Sequence, residues 1–182
     1  MSVPFGKVTA MPPLRGLKTV RSKIHGYGVV TLRPFKKGEL ITYGDGVIWE
    51  EHEEFDDEYA LILNNPKGED HPEIYYDLAD QTRWFNHSCD PTGEVDSEWD
   101  EAAQTMTTWW YALRDIEPGE EITYDYAFFA HLAVPCNCQT AKCRGVICDE
   151  DELDAVPEHL KHHVRKPPPV PASKQTASEP RN

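Results

Sequence analysis

Four of the five cysteines stand between Cys136 and Cys148, and three of them form a Cys-x-Cys-x4-Cys run at Cys136, Cys138 and Cys143. The first 20 residues hold no continuous apolar core of the kind a secretory leader needs, so a reducing compartment is expected. There, crowded thiols bind metal more readily than they form disulfides. Tetrahedral closure asks for a fourth ligand, and Cys148 is the nearest one in sequence.

The 182 residues suffice for one ordinary domain with a hydrophobic core. The formal net charge is −14, from 32 acidic and 18 basic residues. That excess repels phosphate backbones, so no direct nucleic-acid partner is expected. It would steer a cationic peptide or protein inward, although net acidity also serves plain solubility. No stretch approaches the roughly 18 apolar residues of a membrane span, so no membrane association is expected. A cytoplasmic monomer is the default expectation, with a nuclear location if the basic partner is itself nuclear.

Residues 1–13 hold three prolines and read as an extended lead-in. From Arg15 to Ile48, short β-branched runs alternate with glycines; Tyr27–Leu32 and Glu39–Tyr43 read as strands around the turn Pro34–Gly38. Residues 50–58 carry seven acids and are expected on the surface. Asn64–Gly68 signals a loop. A second strand-rich block runs from Thr105 to Tyr126, with Met106–Leu113 and Ile122–Tyr124 flanking the turn Glu117–Glu120. Between the blocks, Glu94–Glu101 reads as an acidic surface insertion. After Cys148, acids lead to a short helix ending near His163, and a proline-rich segment follows that is expected to be disordered.

Four local sequences carry more than fold. They are His25-Gly26-Tyr27-Gly28; Arg83-Trp84-Phe85-Asn86-His87-Ser88-Cys89-Asp90-Pro91; Gly119-Glu120-Glu121-Ile122-Thr123-Tyr124-Asp125-Tyr126; and Cys136-Asn137-Cys138-Gln139-Thr140-Ala141-Lys142-Cys143-Arg144-Gly145. A lone Gly-x-Gly is usually just a turn. The order and content of the whole series closely resemble the SET domain followed by its cysteine-rich post-SET segment, over roughly residues 15–148. The resemblance implies a β-rich α+β fold of small twisted sheets with a knot-like threaded segment and a post-SET zinc loop. Its parts would be the lead-in 1–13, a SET domain over 14–132, the zinc segment over 133–148, and a largely disordered tail over 149–182.

The resemblance further implies S-adenosylmethionine-dependent transfer of methyl groups to lysine in a basic protein or peptide, a histone tail included. His25, Gly26, Tyr27 and Gly28 would cradle the cofactor with Arg83, Asn86, His87, Tyr126 and Ile147. It assigns the fourth zinc ligand to Cys89, beside Cys136, Cys138 and Cys143, so that Cys148 becomes a spare thiol. Four thiolates close the coordination sphere, which makes such a zinc structural. His87 reads as a cofactor neighbour, not as a metal ligand or a base. Tyr126 matches the family's catalytic tyrosine. Tyr124 occupies a position filled by Phe or Tyr in the family, and its hydroxyl would crowd the channel and favour mono- or dimethylation. Tyr43 is expected to line the same channel.

The chain departs from the family at Tyr43-Gly44-Asp45-Gly46-Val47-Ile48, where the usual glycine and acid are exchanged, and at Thr92, where Asn is frequent. In the tail, Lys174-Gln175-Thr176-Ala177 repeats a core-histone sequence, which raises self-methylation of Lys174 as an idea. His159, His162 and His163 read as an exposed helix end. The competing reading is a catalytically silent SET-like module that binds basic peptides; intact Tyr126, Asn86, His87 and Gly26-Tyr27-Gly28 speak against it.

Overall fold

The computed structural model describes residues 14–49, 59–68, 70–71 and 73–165. The acidic run 50–58, the lead-in 1–13 and the tail from residue 166, Lys174 included, lie outside the described residues. In chain order the strands are β1 (Leu17–Arg21), β2 (Tyr27–Thr31), β3 (Leu40–Gly44), β4 (Gly46–Trp49), β5 (Ala60–Leu63) and β6 (Ile74–Leu78). There follow β7 (Asn86–His87), β8 (Gly93–Asp100), β9 (Thr105–Ala112), β10 (Glu121–Tyr124), β11 (Val134–Pro135) and β12 (Val146–Ile147). The helical segments among them are short 3₁₀ turns, at Gln81–Trp84, Ala130–Leu132, Glu150–Ala155 and Glu158–His163.

These strands form small sheets ordered β1-β2-β10-β7, β3-β9-β8, β4-β6-β5 and β11-β12. β9 shows why they hold. Its residues alternate between half-buried and buried, so Met106, Thr108, Trp110 and Ala112 face inward. Trp110 is fully buried and meets Phe85 edge-on at 5.4 Å and Tyr124 at 6.2 Å. Val29, Phe35, Ile116 and Ile122 complete the solvent-free centre. The turns expected at Pro34–Gly38 and Glu117–Glu120 are present, with Gly38 and Gly119 at positive φ where a side chain would be strained. Most pairings are antiparallel; β7 and β10 run parallel, with Thr123 beside Asn86 and Tyr124 beside His87. That pairing lies where the knot-like threading was expected.

Two expectations are corrected. Glu94–Glu101 is no loop insertion, because Gly93–Asp100 is strand β8, paired along its whole length with β9. Its acids alternate with the half-buried Val95, Ser97 and Trp99, the period of a strand with one wet face. The high acid content hid that alternation. The tail, in turn, is not disordered from residue 149. Leu153, Val156 and Leu160 are buried in a second apolar cluster with Ala130, Ala133, Val146 and Cys148. The Arg165 amide donates to the Arg144 carbonyl at 2.7 Å, and a Cβ at Gly145 would run into the His163 carbonyl. Residues 149–165 therefore close over the cysteine-rich loop.

Because Leu160 packs in that second cluster, Leu160→Ala should lower the unfolding free energy by about 2–4 kcal/mol. Urea denaturation measures this, and a change within error would mean that the segment is no part of the folded unit.

Candidate active site

Asn86 organises the first wall of the site. Buried on β7, its amide donates to the Tyr27 carbonyl at 2.8 Å, the His25 carbonyl at 3.3 Å and Glu121 Oε1 at 2.7 Å. The same Glu121 carboxylate accepts from Ser22 Oγ, so the bend between β1 and β2 is tied to β10. Gly26 sits at φ +42 with open space where a Cβ would project, and Gly28 lies so close to Glu121 that a Cβ could not fit. The result is a bare stretch of backbone flanked by the Tyr27 ring, 45% exposed and 5.7 Å from Trp84, with the Arg21 guanidinium 4.2 Å over it.

The second wall is aromatic. Tyr124 and Tyr126 are separated by one residue, and their rings approach to 4.7 Å; Phe128 continues the stack 5.5 Å from Tyr126. Tyr126 Oη donates to the Phe85 carbonyl at 2.9 Å, which leaves its oxygen lone pairs as acceptors. Burial pushes the Tyr126 phenol well above its ordinary pKa, with the Tyr59 phenol and the Glu121 carboxylate adding to the effect. Burial does the same to Tyr124. Both are neutral phenols at physiological pH: they can orient a partner by hydrogen bonds, and neither serves as a base.

Behind this wall lie the thiols. Cys89, Cys136, Cys138 and Cys143 form one cluster, with only Cys136 partly exposed. Backbone amides point at three of the sulfurs: Cys138 N to Cys136 Sγ, Arg144 N to Cys89 Sγ and Gly145 N to Cys143 Sγ, each at 3.4 Å. Such N–H···S bonds favour thiolates. The hydrogen bond shared by Cys89 and Cys136 lowers the Cys89 thiol and raises that of Cys136, with His87 and the Arg144 amide also lowering Cys89. The donor atoms of His87, Cys89, Cys136 and Cys138 all lie within 4.8 Å of one another, close enough to share a metal ion. Cys148 is fully buried in the apolar cluster instead, where burial raises its thiol.

His87 joins the two walls. The Tyr126 amide donates to its Nδ1 at 3.2 Å, and its Nε2 stands 3.2 Å from Cys89 Sγ. Asp125 Oδ1 also stands 3.5 Å from Nδ1, so the ring is held from both sides, between the Tyr124-Asp125-Tyr126 run and the thiols. Between the tyrosines, Asp125 receives both ends of the Arg144 guanidinium at 2.7 Å, and Arg144 is 5% exposed. The cysteine loop is thereby bolted to the Tyr124-Asp125-Tyr126 run by a bidentate ion pair.

The expected residues do not all converge. The Gly26–Gly28 stretch, Asn86, His87, Tyr124 and Tyr126 are joined by direct contacts, Asn86 to the Tyr27 carbonyl, His87 to the Tyr126 amide and ring, and Tyr126 to Tyr124. His25 contributes its carbonyl while its side chain is exposed. Arg83 stacks its guanidinium on the Tyr59 ring at 4.3 Å. Ile147 is half-buried on β12 opposite Val134. Tyr43 stands apart from the tyrosine pair: a register shift between Leu40 and Thr42 turns it to the outer face of the sheet, where it is 59% exposed beside Trp109. Tyr59, whose phenol bears on the Tyr126 pKa and whose ring carries the Arg83 guanidinium, is a neighbour that the sequence reading missed. Arg144 and Glu121 were missed as well, although both stand inside quoted motifs.

The family model described as "SET domain" matches residues 26–127. Among curated relatives, Histone-lysine N-methyltransferase ash1 of Drosophila melanogaster is 33% identical over 145 residues, 72% of this chain and 6% of that protein. Histone-lysine N-methyltransferase 2B of Homo sapiens is 31% identical over 138 residues, 68% of this chain and 5% of that protein. The chain thus spans a small part of the length of these relatives. Among solved structures, KRYPTONITE in complex with mCHH DNA, an H3(1-15) peptide and SAH superposes with a TM-score of 0.59 at 22% identity. That match covers 72% of this chain and 29% of the other. The strand order, the paired Asn86-His87 and Tyr124-Tyr126 segments and the matched model agree: the chain belongs to the SET-domain family.

Proposed function

We infer that this chain is an S-adenosylmethionine-dependent protein-lysine N-methyltransferase acting on a basic protein or peptide, a histone tail being one such substrate. The observation that carries the reading is the meeting of the bare Gly26–Gly28 backbone, Asn86-His87 and the buried Tyr126 hydroxyl in one place. The relatives named as histone-lysine N-methyltransferases and the solved relative that holds SAH support it.

S-adenosylmethionine would supply a methyl group on a sulfonium carbon, and the residues present suit it. Open space lies where a side chain at Gly26 would project, Glu121 closes the Gly28 side, and Arg21 and Trp84 flank the Tyr27 ring between them. Lysine must arrive as a neutral amine, and with a reference pKa of about 10.4 its deprotonation at pH 7 costs roughly 4.6 kcal/mol. A dry aromatic wall lowers that cost by disfavouring the ammonium form. Tyr126 Oη, its proton committed to the Phe85 carbonyl, accepts an N–H of the amine and fixes the direction of its lone pair. Alignment therefore supplies the larger share of the acceleration, and the proton leaves to solvent.

For the thiol cluster we propose a structural zinc held by Cys89, Cys136, Cys138 and Cys143. His87 lies within reach by distance, but with the Tyr126 amide on its Nδ1 this proposal assigns its proton to Nε2, facing the Cys89 sulfur. It serves instead as the N–H donor to the Cys89 sulfur, a partner that orients a ligand. Tyr124 brings its buried phenol ring to 4.7 Å from that of Tyr126, and on this we propose a mono- or dimethylating channel. Cytoplasm remains the default compartment of the proposal.

With labelled cofactor and a lysine-containing basic peptide, Tyr126→Phe should reduce transfer by about a hundredfold or more; near-normal turnover would refute the assignment. Tyr124→Phe should keep transfer and raise the number of methyl groups per lysine, read by mass spectrometry, and unchanged multiplicity would contradict the crowding argument. Elemental analysis should find one zinc per chain. A strong chelator should lower the melting temperature, and a metal-free protein with the same melting curve would exclude a structural ion.

A further inference from the structure

The outer face of the β3-β9-β8 sheet combines charge and aromatic surface in a regular array. Along β8, Glu94, Asp96, Glu98 and Asp100 fall at every second residue, all exposed, and so share one face. In register beside them on β9 stand Tyr111, Trp109, Thr107 and Thr105. The bulge in β3 brings both Leu40, 42% exposed, and Tyr43 to the same side. Leu40, Tyr43, Glu98, Thr107, Trp109 and Tyr111 line a groove of about 500 Å³.

The charge of this face is not balanced from within. Among the described residues, the four β8 acids take part in no ion pair with a basic side chain. Glu94 accepts from Tyr111 Oη at 2.8 Å, and that bond holds the Tyr111 phenol up to about 12. Carboxylates two residues apart on a strand repeat at roughly 6.8 Å, the same repeat as alternate side chains of an extended peptide. Rings beside them offer their faces to cations. A second copy of a chain with net charge −14 would bring like charge to the face, and phosphate-bearing surfaces would be repelled.

We propose that this face docks an extended partner segment with Arg or Lys at alternate positions, its cations lying over Trp109 and Tyr43 and against the β8 carboxylates. The inward residues of the same strand, Trp110 above all, pack against Tyr124, so the docked segment and the tyrosine wall occupy opposite sides of one sheet. Docking is therefore separable from chemistry, and the proposal does not depend on methyl transfer.

The test is fluorescence anisotropy with the full chain and a labelled peptide of alternating Arg and Ser, which contains no lysine for the tyrosine wall to accept. Binding should weaken with salt. It should be about tenfold or more weaker in the exposed double variant Asp96→Asn, Glu98→Gln, and weaker again when Trp109→Ala is added. A peptide with its Arg residues grouped in one block should bind less tightly than the alternating one. Melting curves of the double variant should match the wild type. Equal affinity for wild type and variants, or no binding at all, would overturn the proposal. So would a wild-type dimer in sedimentation that the double variant dissociates, because the face would then belong to a second copy.

Discussion

His87 is the joint on which the rest depends. Its two nitrogens face opposite ways, one receiving the Tyr126 amide and the other facing the Cys89 sulfur. Both contacts exist because β7 runs parallel beside β10, with the Ser88 amide bonded to the Tyr124 carbonyl at 3.0 Å. A parallel pair of such short strands is weak by itself. It is held by burial on every side: Asn86 and His87 are buried, as are Phe85 before them and Ser88 after. Moving β7 by one residue would carry His87 away from the sulfur and Asn86 away from the Gly26–Gly28 backbone together.

The Arg144–Asp125 pair does the second part of the joining. Arg144 is almost wholly buried and accepts that desolvation only with both carboxylate oxygens on its guanidinium. Asp125 lies between Tyr124 and Tyr126, so closure of the cysteine loop and placement of the two phenols are one event. The segment 149–165 then covers the loop, with Val146 and Cys148 buried beneath Leu153, Val156 and Leu160. What resembles a tail in composition is a cover for the cysteine loop.

The parts legible in the sequence were those written in local chemistry. Clustered thiols, Asn-His-Ser-Cys and the Thr-Tyr-Asp-Tyr run announce themselves because their spacing matters as much as their type, and the short strands follow from β-branched runs between glycines. Contacts across sheets were not legible. Tyr59 follows an acidic run and gives no hint that it approaches Tyr126. The side that Tyr43 faces was not legible either, because it is set by a bulge in β3. Strand β8 was hidden by its own acids: their alternation with Val95, Ser97 and Trp99 is strand periodicity, but the charge reads first. Leu153, Val156 and Leu160 are spaced among acids and histidines, so their common burial appears only once the cysteine loop is in place.

One binding experiment addresses the central claim most directly: titration of S-adenosylmethionine into the purified, zinc-loaded chain by calorimetry. The account predicts saturable binding with one molecule per chain. An absence of any binding heat or thermal stabilisation from a folded, metal-loaded sample would contradict it, leaving an acidic β-domain whose Gly26–Gly28 backbone and buried tyrosines serve only its packing.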